Sequence, residues 1–247
     1  MEWIYPIISV VIVSLVSFIG VLTLSFKIEK LRKVLIYLIS FSAGALFGNV
    51  FLHLLPESAS GNGFNISISL SVLFGIVVFF VLEKVIHWQH CHMPIEKEHV
   101  HDFAYMNLVG DTLHNFIDGL IIAASYLVSI PVGIATTFAV VLHEIPQEIG
   151  EFGVLLHGGF SKSKALILNF LSACFAIIGA LIGLWLSGIS DNFVMILIPF
   201  AAGGFIYIAG SDLIPELHKE TKLFRSVLQA VAFVFGIILM WLLLMIG

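Results

Sequence analysis

The chain has 247 residues, 60% of them hydrophobic and only 11% charged, with a mean hydropathy of +1.09. An ordinary soluble domain is about half apolar and about a quarter charged, so this composition excludes one and implies an integral membrane protein. The net charge of −5, with the basic residues spread along the chain, gives no reason to expect a nucleic-acid partner.

A hydrocarbon core asks for about 20 apolar residues per helix. Eight such stretches are legible, at about 4–26, 34–55, 66–86, 103–128, 131–157, 164–187, 192–212 and 224–246. The Lys and Arg residues fall near four alternate connections: Lys27, Lys30, Arg32 and Lys33; Lys84 and Lys97; Lys162 and Lys164; Lys219, Lys222 and Arg225. By the positive-inside rule those connections are cytoplasmic and both termini lie outside. Met1-Glu2-Trp3 offers no basic leader, so 4–26 is expected to be a retained span. The expectation is an all-α membrane protein with eight transmembrane helices, and residues 1–247 as a single transmembrane domain. A plasma-membrane location is expected.

The first span carries Ser14, Ser17, Gly20 and Thr23, small residues suited to close helix contact. The second ends Ala43-Gly44-Ala45-Leu46-Phe47-Gly48-Asn49-Val50-Phe51-Leu52-His53-Leu54-Leu55-Pro56-Glu57. The seventh ends Ala202-Gly203-Gly204-Phe205-Ile206-Tyr207-Ile208-Ala209-Gly210-Ser211-Asp212-Leu213-Ile214-Pro215-Glu216. Ala, Gly, Leu, Pro and Glu coincide along the two, and spans two and seven run in opposite directions. That reads as an inverted repeat of three spans, two central spans and three spans. His53 and Glu57 are either interfacial caps or a metal vestibule, mirrored in the second case by Asp212, Glu216 and His218.

The connection at about 87–102 holds His87, His90, Cys91, His92, His99 and His101, imidazoles and a thiol that suit capture of a cytosolic metal as well as a solvated loop. Cys91 in that loop and Cys174 in a span offer no plausible disulfide.

The fourth span places Asp111, His114, Asn115 and Asp118 on neighbouring faces. Positions four apart share a helix face, so His114 stands over Asp118, and Asp118 is close enough to Asn115 to reach a second ligand row and bridge two cations. In the fifth span His143 stands over Gln147, beside Glu144, while Glu148 and Glu151 continue the acidic face. Pro146 lacks an N–H and frees the carbonyl of Leu142. Five ionised, unpaired carboxylates in the spans would cost roughly 12–18 kcal/mol on insertion scales, so protons, water or metal cations must compensate them. Imidazole with carboxylate suits Zn²⁺ and related first-row ions. Asp111 is a candidate to orient the His114 ring, and Asn169 in the sixth span is a candidate to complete a second ion's shell. The eighth span is apolar apart from Gln229 and reads as scaffold.

His114-Asn115-Phe116-Ile117-Asp118-Gly119 and His143-Glu144-Ile145-Pro146 resemble the paired motifs of the Zrt/Irt-like protein (ZIP) family of divalent metal transporters. The resemblance covers the whole chain and implies a binuclear centre. One ion would lie near His114, Asp118, His143 and residue 147, and a second near Asn115, Asp118 and Glu144. Gln147 departs from the Glu or His usual in the family, and an amide oxygen is the weaker ligand. Divalent ions and the lipid bilayer are then the partners, a homodimer is an open alternative to a monomer, and no organic cofactor is implied. The expected function is inward transport of zinc or a related ion. A passive cation channel is the nearer alternative. An intramembrane metallohydrolase is the remoter one, because His143-Glu144-Ile145-Pro146-Gln147 begins like H-E-x-x-H and lacks its second His.

Overall fold

A computed structural model describes residues 3–20, 28–60, 63–88, 102–187 and 192–245. The described residues are helical almost throughout. Apolar sequence with no water to satisfy its backbone can do little else in a bilayer, because each N–H and C=O must bond within its own segment.

In chain order the helices are α1 (Ile4–Val16), α2 (Ile28–Asn49), α3 (Leu55–Ala59), α4 (Ile66–Trp88), α5 (Asp102–Val128), α6 (Ile130–His157), α7 (Lys162–Ala173), α8 (Phe175–Ser187), α9 (Asn192–Tyr207), α10 (Ile214–Leu217) and α11 (Leu223–Leu243). Two π-helical turns, Val50–Leu54 and Ile208–Leu213, join α2 to α3 and α9 to α10. Among the described residues, five stretches are long and apolar enough to cross a membrane: Leu35–Ala59, Ile66–Lys84, Lys162–Ser187, Met195–Leu217 and Leu223–Leu243. α5 and α6 are longer than any of these, at 27 and 28 residues, but their polar side chains lower their hydropathy.

Helix ends follow the local sequence. Asn65 Oδ1 accepts from the N–H groups of Ser67 and Ile68 at the start of α4, and Ser161 Oγ accepts from that of Lys164 at the start of α7. α6 ends at Gly158 and Gly159. Gly159 takes φ +95°, and the N–H of Phe160 reaches back to the carbonyl of Leu155, closing the turn in the manner of a Schellman cap.

Three helix pairs pack most extensively: α2 with α11, α5 with α8, and α4 with α9. Glycines permit the close approach. A Cβ added to Gly44 would lie 2.0 Å from the carbonyl oxygen of Phe233, and one added to Gly236 would lie 2.2 Å from that of Phe41. The α4–α9 pair repeats the arrangement, with Gly203 against the Val72 oxygen at 2.0 Å and Gly75 against the Phe200 oxygen at 2.1 Å. Gly44 and Phe41 thus correspond to Gly203 and Phe200 in one constant register, and Gly236 and Phe233 to Gly75 and Val72 in another. The two π-helical turns keep the first register. Each is followed by Pro-Glu, at Pro56-Glu57 and Pro215-Glu216, and each π turn packs against the other repeat's helix.

α5 and α6 are joined through Ser129 alone, whose Oγ accepts from the N–H of Val132. So short a link makes the two helices antiparallel neighbours. His114 and His143 lie almost equally far before and after Ser129, and the pairing brings them level.

Candidate metal centre

His143 is fixed from behind. Its Nδ1 lies 3.1 Å from the carbonyl oxygen of Ala139, one turn earlier on α6. A carbonyl can only accept, so Nδ1 carries the hydrogen and Nε2 is left with its lone pair. That lone pair points into a buried group made with His114, Asp118 and Glu144, in which one ligand atom from each lies within 4.8 Å of all the others. His143 Nε2 is 3.2 Å from Asp118 Oδ2 and 3.3 Å from Glu144 Oε1. His114 Nε2 is 3.4 Å from the same Glu144 oxygen, 3.8 Å from Asp118 Oδ2 and 3.2 Å from His143 Nε2.

These separations test the fit to a cation. Four ligands at the 2.0–2.1 Å of zinc, arranged as a tetrahedron, stand about 3.3–3.4 Å apart. Four of the five spacings just given, at 3.2–3.4 Å, lie close to that edge length, and the fifth, from His114 to Asp118, is longer at 3.8 Å. The carboxylates come within ion-pair reach of the imidazoles without the alignment of hydrogen bonds, so both oxygens of Asp118 and both of Glu144 are buried with no hydrogen-bond partner among the described residues. Buried carboxylate oxygens in that condition are costly unless a cation or proton meets them. Residues, charge and geometry all fit a first-row divalent ion.

The other sequence-derived candidates fall around this group. Gln147 Nε2 donates to Asp111 Oδ1 at 3.4 Å, and Asn115 Nδ2 donates to the same oxygen at 3.2 Å. Asp111 therefore receives amides, and no hydrogen bond from the His114 ring to it is seen. Glu148 is fully buried and accepts from Asn169 on α7, while Glu151 accepts from Asn107. Asn107 escaped the sequence reading. Its signal was its place one turn before Asp111 on the same face of α5. His53, 3% exposed, lies 2.9 Å from the carbonyl oxygen of Met240 on α11 and so engages scaffold backbone. Glu57 is partly exposed within α3, and Glu216 pairs with Lys219. His90, Cys91, His92, His99 and His101 lie outside the described residues, as do the side chains of His87 and Asp212.

A cavity of about 670 Å³ leads away from the group. His114, Asp111 and Gln147 line its inner part, Asn107 and Glu151 come next, and Glu216 and Lys219 stand toward the helix ends. Glu83 and Tyr207, hydrogen-bonded to each other, also face it. The ends it approaches are those that carry Lys84, Lys162, Lys164 and Lys219.

The family model described as ZIP Zinc transporter matches residues 1–102 and 92–244. A Pongo abelii protein named Zinc transporter ZIP13 is 37% identical over 219 residues, covering 82% of this chain and 65% of its own length. Zinc transporter zipt-7.2 of Caenorhabditis elegans is 31% identical, covering 97% of this chain and 65% of its own. Zinc transporter YKE4 of Saccharomyces cerevisiae is 33% identical, covering 78% and 64%. The chain belongs to the ZIP zinc transporter family, a family of transport proteins and not of enzymes, and is an integral multi-pass membrane protein. It spans about 65% of the length of the ZIP13 relative.

Proposed function

We propose that the chain carries zinc or a related divalent transition-metal ion across the membrane into the cytoplasm, as a single transporting unit. The observation that carries this reading is the set of imidazole nitrogens and carboxylate oxygens, most of them spaced like the edge of a zinc tetrahedron, with four carboxylate oxygens that lack hydrogen-bond partners among the described residues. Asp118 and Glu144 each have a second oxygen to offer, and Asn115 Oδ1 is buried and equally unpartnered. That supports two neighbouring ions bridged by Asp118, the second held with Asn115 and Glu144.

The eight-span reading takes α2 with α3, α7 with α8, and α9 with α10 as single crossings, each unbroken through its junction. The constant register of Gly44 with Gly203 and of Gly75 with Gly236 supports the inverted repeat around the α5–α6 pair. For direction, the support is the cavity's course from His114 toward the Lys-bearing helix ends, which the positive-inside rule assigns to the cytoplasm. Moving two positive charges inward down 100 mV releases roughly 4.6 kcal/mol. The plasma membrane stays part of this proposal, supported only by the sequence-level expectation.

The test is uptake by the purified chain in liposomes, comparing zinc, iron, manganese and cadmium under an imposed inside-negative potential. Saturable uptake that responds to a metal gradient on the opposite side supports a carrier. Linear, non-saturating flux would favour a channel, and no flux would reject transport.

A further inference from the structure

Three helices send side-chain donors to one buried carboxylate. Asp111 on α5 is 4% exposed. Its Oδ2 accepts from Ser172 Oγ on α7 at 2.5 Å, and that hydroxyl lies 2.9 Å from Thr112 Oγ1. Its Oδ1 accepts from Asn115 Nδ2 at 3.2 Å and from Gln147 Nε2 on α6 at 3.4 Å, and Asn115 Nδ2 also reaches the Asp111 backbone carbonyl at 3.1 Å. All three side chains are neutral, so this anion is arranged to receive hydrogen bonds rather than to neutralise a charge.

A carboxamide has two unlike ends. Only its NH₂ can face a carboxylate, and the end then turned away is the carbonyl oxygen, the one atom of the group able to ligate a cation. Asn115 lies next to His114 on α5 and is fully buried, and its Oδ1 has no hydrogen-bond partner among the described residues. Gln147 lines the cavity beside His114. Turned the other way, either amide would present N–H hydrogens to a cation and repel it.

We propose that Asp111 is a positioning residue that aims the carbonyl oxygens of Asn115 and Gln147 at the transported ion, with Ser172 and Thr112 holding the carboxylate in place. The inference rests on the transport reading given above. It separates aim from charge. Asp111→Leu removes both carboxylate acceptors, which frees the Gln147 amide to turn and leaves the Asn115 amide only the backbone carbonyl of residue 111. Asp111→Asn removes the charge but keeps one carbonyl oxygen for the amides, while the Ser172 hydroxyl reverses to accept from the new NH₂.

The experiment is titration of the purified full chain in detergent with Co²⁺ alone, read by the visible d–d absorption, which reports ligand set and coordination number. Asp111→Leu, with Asp111→Ala as the smaller replacement, is expected to weaken Co²⁺ binding about 10–100-fold, the usual effect of losing a partner behind the metal ligands, and to shift the absorption. Asp111→Asn is expected to restore affinity and spectrum close to wild type. In a chain already carrying Asn115→Ala and Gln147→Ala, Asp111→Leu is expected to cost little more, because nothing remains to aim. An Asp111→Asn protein as weak as Asp111→Leu, or a spectrum unmoved by Leu and Ala, overturns this inference alone. A wild-type chain that binds no Co²⁺ overturns it together with the transport reading.

Discussion

The Nε2 atoms of His114 and His143 face each other at 3.2 Å, and each also lies within 3.4 Å of the same Glu144 oxygen. With His143 Nδ1 turned to the Ala139 carbonyl, the His143 Nε2 lone pair can accept a hydrogen from His114 Nε2 or face a cation held between the two rings.

The first expectation follows directly. His114→Ala, His143→Ala and Asp118→Ala should each cut metal uptake by more than the roughly 10–100-fold lost with an outer hydrogen-bond partner. Asp118→Ala should be the most severe, since it removes the anion able to touch both ions. Liposome flux normalised to inserted protein checks this, and near-normal flux in the Asp118 variant would reduce the cluster to the lining of a watery cavity.

Gln147→His replaces a weak amide ligand with an imidazole while keeping an N–H that can face Asp111, which reproduces a carboxylate–histidine–metal chain. Binding should tighten by about tenfold, roughly 1.4 kcal/mol, and turnover should slow where release limits the cycle. Unchanged affinity in an equilibrium titration would take residue 147 away from the ion.

Replacing His87, His90, His92, His99 and His101 together by Ser should leave the initial uptake rate largely intact and alter its response to cytosolic metal. By sequence these residues fall at the end of α4 and in the stretch before α5, apart from the motifs that carry His114 and His143. Complete loss of flux from a correctly inserted variant would make one of them an obligatory ligand.

The helix-pair glycines give a stability test. A methyl group at Gly44 or Gly203 would meet backbone oxygen at 2.0 Å, which cannot be relieved by rotating a side chain. Each Ala substitution should destabilise by about 1–3 kcal/mol as helices are forced apart. Thermal unfolding in detergent measures it. Gly150 and Gly153 have open space around an added Cβ and serve as controls expected to change little.

Much of the metal group was legible because its logic is local. The spacing of His114 and Asp118 on one helix, and of His143 beside Glu144 on the next, follows from helix pitch. What surrounds the group was not legible. Asp111 lies three residues before His114 in sequence, yet its Oδ2 partner is Ser172 on α7, which leads directly into α8, the helix that Gly119 and Gly179 bring against α5 through the Ala176 and Phe116 carbonyls. The π-helical turns were missed as well. They add a residue per turn without any hydrophobic signature, and the only trace was a proline just beyond each: Leu55 bonds back to Val50 and Ile214 to Ala209, and Pro56 and Pro215 follow with no N–H to give.

The shared register of the two π-bearing segments means that Gly44 and Gly203, Pro56 and Pro215, and Glu57 and Glu216 are matched experiments supplied by the chain itself. If the segments face opposite compartments, a substitution and its counterpart disturb the same surroundings on opposite sides of the cycle. Equal losses in melting temperature with unequal losses in flux would then be a direct measure of which half-reaction, loading or unloading, sets the pace.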